Sequence, residues 1–333
     1  MKIDALLGAG LHDAGTAAVR AERVGCDGVI VPEVAHDPFL PLALAAAETT
    51  RVRLTTGIAV AFARNPMRIA VTSSDLHRFS DGRFVLGLGS QIKAHVTRRF
   101  SMPWSDPAKR MAEYIAAVRA IWDAWETQTP LDFRGDYYQH TLMTPMFDHG
   151  PSPCGWPAIH LAAVGPAMTR VAGSVADGLL CHGFTTEAYL REVTIPMLER
   201  GLAAANRPRD AVEVSLPAMC AIADEDDAAS IAAARSTISF YGSTPAYRPV
   251  LEHHGWGALG EELTVLSKQG RWETMGTIID DDVLDTFYAV GSVDDVAAKL
   301  TTRFGDVVDR LQVVVSARDD AGDGLVAAVR TAA

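Results

Sequence analysis

The chain has 333 residues, of which 48% are hydrophobic and 21% charged, and a formal net charge of −11 at pH 7. That length buries a sizeable core, as one large domain or two ordinary ones, and the composition excludes a disordered chain. The negative field argues against nucleic acid and anionic membrane as partners, while a small anion stays compatible, because a local pocket of backbone N–H groups opposes the global sign.

Segment 3–7 reads as a first strand, too short in its apolar run for a signal peptide. No later run reaches the ~18 to 20 apolar residues of a membrane span, so the expected compartment is the cytoplasm. A helical period at 16–24 is followed by an apolar strand at 28–31, a helix at 41–49, a strand at 52–60 and a helix at 66–79. The turn signal Asp81-Gly82 leads into a strand at 83–88. Helices at 108–125, 166–175, 186–205 and 293–304 then alternate with strands at 158–162, 178–181, 212–221 and 311–315. Pro66 and Pro166 stand where a first helical turn accepts proline. Several strands are apolar throughout, as parallel strands covered by helices are. The alternation predicts an α/β protein, a (β/α)8 barrel, with a doubly wound sheet as the alternative because pattern does not register closure. Stretches 91–107, 127–157 and 224–290 exceed ordinary βα connections and are expected as insertions, the last partly helical, on a single domain spanning 1–333.

Chemistry-bearing motifs are sparse. Gly87-Leu88-Gly89-Ser90 follows a strand, but the third glycine of a dinucleotide fingerprint would fall at Ile92. Gly8-Ala9-Gly10 fails likewise at Asp13, and neither a phosphate loop nor a nucleophile elbow is present. Cys26, Cys154, Cys181 and Cys220 form no CxxC pair, which fits neither zinc nor a disulfide framework. His253-His254 face differently with no third ligand at a supporting spacing, so no metal is expected. More suggestive is Ala162-Ala163-Val164-Gly165-Pro166, where an apolar strand ends in a small-residue turn and a helix begins. Its free N–H groups suit a phosphate, although an ordinary βα turn has the same pattern. Glu33 and His36 follow the second strand as candidates for general acid and base. Arg64-Asn65 follows the third strand. The cluster holding Tyr241, Tyr247 and Arg248 either lines a substrate pocket or packs the late insertion onto the barrel.

Three segments carry a wider resemblance. They are Gly25-Cys26-Asp27-Gly28-Val29-Ile30-Val31-Pro32-Glu33, the run from Thr55 to Pro66, and the run from Ser80 to Ser90; Ala162 to Thr169 and Ala176 to Cys181 add to it. Over residues 1–315 the chain resembles the luciferase-like flavin and deazaflavin superfamily, and more closely its coenzyme F420-dependent oxidoreductases. The resemblance implies a homodimer and F420 in a cleft at the strand ends, its phosphate held by Ala163, Val164, Gly165 and Met168. It implies a non-prolyl cis peptide around Thr56-Gly57-Ile58, behind the deazaflavin ring. Ser90 and His95 match positions that contact the cofactor; Thr56, Gly57, Asn65 and Cys181 match positions close to it. Glu33 stands where relatives carry an acidic residue, often as Asp-His, but the next residue here is Val34. Ile92 stands near the point where a glutamate serves the family's sugar-phosphate dehydrogenases, so that chemistry does not transfer. The expectation is hydride transfer between F420 and a small organic substrate, with Glu33 or His36 handling the proton and Tyr241, Tyr247 and Arg248 touching the substrate. Alternatives are an FMN-dependent monooxygenase of the same superfamily and a non-catalytic F420-binding barrel.

Overall fold

The computed structural model describes residues 1–8, 10–223, 227–314 and 321–332. Strands β1 (Lys2–Leu6), β2 (Gly28–Val31), β3 (Arg53–Thr56), β4 (Phe84–Gly89), β5 (Ile159–Ala163), β6 (Gly178–Cys181), β7 (Glu213–Pro217) and β8 (Arg310–Val314) run parallel, each bonded to the next. β8 returns to β1 through Lys2↔Arg310, and β3 bonds directly to β4 through Leu54↔Phe84, so the sheet closes. Those pairings decide for the barrel against the doubly wound sheet. Outside it pack helices α1 (Leu11–Arg23), α2 (Phe39–Glu48), α3 (Pro66–Phe79), α4 (Pro107–Thr127) and α5 (Pro166–Val175). Pro66, Pro107 and Pro166 each occupy a first turn, where the missing N–H is not needed.

Two expected strands are shorter than their apolar runs. The 52–60 run breaks after Thr56 and resumes as Ala59–Val60, and the Gly57–Ile58 peptide between the two pieces is cis. A Cβ at Gly57 would stand 2.3 Å from the Ile30 side chain, so only glycine lets the chain pass there. The 212–221 run breaks after Pro217; Cys220–Ile222 leaves the barrel and pairs with Ala289–Gly291 in a separate two-stranded sheet. The late insertion is mainly helical, with Ala228–Gly242, Arg248–His253, Gly257–Lys268, Trp272–Thr277 and Asp281–Phe287. Its helices gather their own apolar cluster around Ile238, Leu251, Leu263 and Phe287, onto which Phe184 packs from the loop after β6. Ala9, Asp224 and Val315, each part of a sequence expectation, lie outside the described residues.

The amino-terminal end of the barrel is filled by charge. Asp4 on β1, Arg53 on β3, His160 on β5 and Glu213 on β7 meet Arg310 from β8. Arg310 Nε lies 2.7 Å from Asp4 Oδ2, and Arg53 Nη1 lies 2.6 Å from Glu213 Oε1. Burial, and then the charges of Arg53 and Arg310, push His160 well below the ordinary imidazole range, so it stays neutral among them. Gly28 and Gly178 on the intervening strands make room: a Cβ there would stand 2.4 Å from Asp4 Oδ1 and 2.5 Å from the His160 ring. Strands β1, β3, β5 and β7 supply four of the large polar groups and β8 the fifth, while β2 and β6 supply the space, close to the alternate-strand layering of a (β/α)8 interior. No described helix is long and apolar enough to cross a membrane.

Candidate active site

Parallel strands place every following loop on one end of the barrel, and barrel chemistry sits at that carboxyl-terminal end. On the β2–β4 side the loops are tied together. Glu33 Oε2 accepts from Arg64 Nη1 at 2.6 Å and from the Val60 N–H at 2.8 Å. Arg64 Nη2 also reaches Asp37 at 2.8 Å. Burial alone would lower the Arg64 pKa, but the hydrogen bonds and charges of Glu33 and Asp37 outweigh it and raise it. Val60 pairs with Gly89, so Glu33 is held one strand pairing away from Ser90. His36 lies exposed in the loop after Glu33. Arg99 closes the sector by donating to Val34 O at 2.6 Å. Val34 and Ile92, 65% and 46% exposed, put apolar side chains on the surface of this side.

The other expected cofactor positions differ in what they offer. Thr56 is fully buried; its hydroxyl donates to Gly87 O at 2.7 Å and accepts from Gly87 N–H at 2.8 Å, so it fastens β3 to β4. Asn65 is exposed and caps α3 by accepting from Met67 N–H at 2.8 Å. Burial pushes the Cys181 thiol up to about 12, which makes it an apolar wall and no nucleophile. His95 opens a single π-helical turn, Leading into Arg99, and its Nδ1 is buried without a hydrogen-bond partner among the described residues. An orphaned donor-acceptor in such a turn is what a bound group would satisfy. Gly165, exposed, is the N-cap of α5 with no side-chain cap, which leaves first-turn N–H groups open beside Ala163, Val164 and Met168. The orphaned imidazole nitrogen and this open turn fit a phosphate-bearing cofactor.

One residue escaped the sequence reading. Ala163 pairs with Cys181, so His182, next after Cys181, is the strand neighbour of the Val164 turn. Its ring stacks on Tyr247 at 4.5 Å and meets Tyr241 edge-on at 5.0 Å. Tyr241 and Tyr247 therefore do reach the strand ends. Arg248 does not join them: its Nη2 donates to Thr264 Oγ1 at 3.1 Å and its Nη1 faces Glu261 at 3.4 Å, inside the insertion. The only sequence signal for His182 was its place immediately after an apolar strand. His253 and His254 also separate, towards Glu192 and Thr186.

A closed barrel whose strand ends carry an open helix start and an orphaned imidazole nitrogen has the frame of a (β/α)8 enzyme with room for a phosphate-bearing group. The chain belongs to the luciferase-like monooxygenase family, whose sequence model matches residues 3–310. It is 52% identical over 313 residues to an uncharacterized protein of Mycobacterium tuberculosis, covering 93% of this chain and 92% of that one. The fold is similar to that of the coenzyme F420-dependent tetrahydromethanopterin reductase from Methanopyrus kandleri, with a TM-score of 0.79 and 22% identity over 98% of this chain and 97% of that one. It is also similar to the oxygenating constituent of 3,6-diketocamphane monooxygenase from Pseudomonas putida, solved with FMN, with a TM-score of 0.69 and 18% identity over 98% and 96% of the two chains.

Proposed function

We propose that this chain is an F420-dependent oxidoreductase that moves a hydride between the deazaflavin and a small organic substrate. The observation that carries the choice of F420 is the closer superposition on the F420-dependent reductase, 0.79 against 0.69 for the FMN-containing monooxygenase. When bound, F420 supplies a two-electron hydride carrier. The protein supplies position. The first turn of α5 after Ala163 and Val164 would hold the phosphate, and His95 Nδ1 would gain its missing hydrogen bond. Glu33, fixed by Arg64 and the Val60 N–H, is the group placed to handle the accompanying proton. The partners in this reading are a small-molecule substrate and a second copy of the chain. Leu40, Leu44 and Phe79, exposed on α2 and α3, support the second copy, and sedimentation tests it.

The FMN-dependent reading rests on the same frame and on the FMN-containing neighbour. Titrating the protein with F420 by fluorescence quenching, with FMN as competitor, separates the two. Saturable F420 quenching that excess FMN does not displace supports the proposal. FMN binding with no F420 binding overturns it in favour of the monooxygenase reading, and F420 binding without turnover across alcohols, aldehydes, enones and sugar phosphates favours a non-catalytic barrel.

A further inference from the structure

The pair at the end of β6 has a polarity that its hydrogen bonds determine. Phe184 donates its backbone N–H to His182 Nδ1 at 3.0 Å. A backbone N–H only donates, so Nδ1 carries no proton. Burial pushes the imidazole down to about 4, so at pH 7 the ring is neutral and its one proton sits on Nε2. That Nε2–H faces Tyr247 Oη at 3.1 Å and must be the donor. The phenol oxygen therefore accepts from His182, and its own hydrogen is left for a third group. Among the described residues the Tyr247 hydroxyl has no other hydrogen-bond partner. Burial, and then Tyr241, raise its pKa to about 12, so it remains a phenol throughout the neutral range. Tyr241 and Tyr247 pack around the His182 ring with Phe184 alongside, while His182, Tyr241 and Tyr247 all keep partial exposure. The nearest candidate cation in sequence, Arg248, is committed to Thr264 and Glu261.

We propose that Tyr247, with His182 as its positioning residue, is a hydrogen-bond donor that holds the oxygen of a neutral carbonyl substrate, such as a ketone, aldehyde or enone. A lone donor in an aromatic wall selects an acceptor oxygen on a flat, uncharged molecule over a sugar phosphate, because the adjacent Arg248 is already committed to Thr264 and Glu261. The role is holding and polarising only. The proton that accompanies the hydride is left to Glu33, as in the proposed function. This assignment rests on the proposed function, since the carbonyl must lie where the deazaflavin reaches it.

The test uses the full chain and 2-cyclohexen-1-one as probe. Histidine-ring 15N spectra at pH 7 should show His182 protonated at Nε2 and bare at Nδ1, and the enone should shift the Nε2 signal. Tyr247→Phe should remove that shift and weaken enone binding about 5- to 10-fold, the effect of one neutral hydrogen bond. His182→Gln, whose amide still donates to Tyr247, should bind the enone nearly as the wild type does, and His182→Ala should not. F420 quenching should change less than about 3-fold in Tyr247→Phe. An Nδ1-protonated ring, no enone-dependent shift in the wild type, or equal enone affinity in Tyr247→Phe would overturn the assignment. So would a loss confined to F420 affinity, which would give the phenol to the cofactor. Failure of the wild type to bind F420 at all removes the parent reading instead, and is read in its own titration.

Discussion

Glu33→Gln separates chemistry from architecture at the centre of the proposal. In the wild type the carboxylate, 8% exposed, takes a 2.6 Å bond from Arg64 and a 2.8 Å bond from the Val60 N–H. An amide of the same shape keeps the Val60 bond and turns the Arg64 contact from ion pair to ordinary hydrogen bond. Charged hydrogen bonds contribute about 1.5–3 kcal/mol and neutral ones about 0.5–1.5, so the structural loss is about 1–2 kcal/mol. Arg64 keeps Asp37 at 2.8 Å, but that carboxylate is 40% exposed and offsets little. A thermal melt should therefore fall by only a few degrees. F420 affinity should stay within about 3-fold, while turnover falls at least ~100-fold, the low end of general acid–base catalysis. Turnover is followed as loss or recovery of deazaflavin absorbance with a substrate from the panel of alcohols, aldehydes, enones and sugar phosphates. Wild-type turnover in a variant that melts a few degrees lower would refute the proton role and leave Glu33 as an anchor for Arg64.

Thr56→Val removes the hydroxyl that bridges Gly87 N–H and C=O at 2.8 and 2.7 Å. Stability to urea should drop by about 1–3 kcal/mol with F420 affinity unchanged, whereas a selective loss of F420 binding would assign Thr56 to the cofactor. His95→Phe should weaken F420 about 5-fold without lowering the melting temperature, because it deletes an imidazole nitrogen that is unpartnered in the protein; equal affinity would refute the contact. Acid should destabilise the fold through His182. The unfolded imidazole takes its proton near 6.5 and the buried one only at about 4, so acidification protonates the unfolded state first. Stability is whole above about pH 6.5 and declines by about 3 kcal/mol down to pH 4, while His160 adds to it with the same sign. Urea unfolding at stepped pH should show a shallower decline in His182→Gln, and an unaltered slope would refute the assignment.

Local chemistry in the sequence was enough for the alternation of strand and helix, the proline-opened starts of α3 and α5, and the place of Glu33 in the loop after β2, because each depends on periodicity or on neighbours in the chain. The family resemblance, and not local chemistry, implied the cis peptide, which falls at Gly57–Ile58. Other features depend on residues far apart in the chain. The Lys2↔Arg310 pairing closes the barrel across almost the whole chain, and no pattern encodes it. The charged layer of Asp4, Arg53, His160, Glu213 and Arg310 exists only once β1, β3, β5, β7 and β8 close into one barrel. Thr56 and Asn65 looked equally close to the cofactor, yet tertiary and capping bonds engage the oxygens of both. Tyr247 and Arg248 are adjacent, but the helix that begins there sends one towards His182 and the other towards Thr264. His182 itself, 65 positions from Tyr247, gained its meaning from that contact. The sequence determined which strand ends form the mouth of the barrel. Only folding decided which side chains at that mouth are left free to act, because hydrogen-bond capacity is settled by partners distant in the chain.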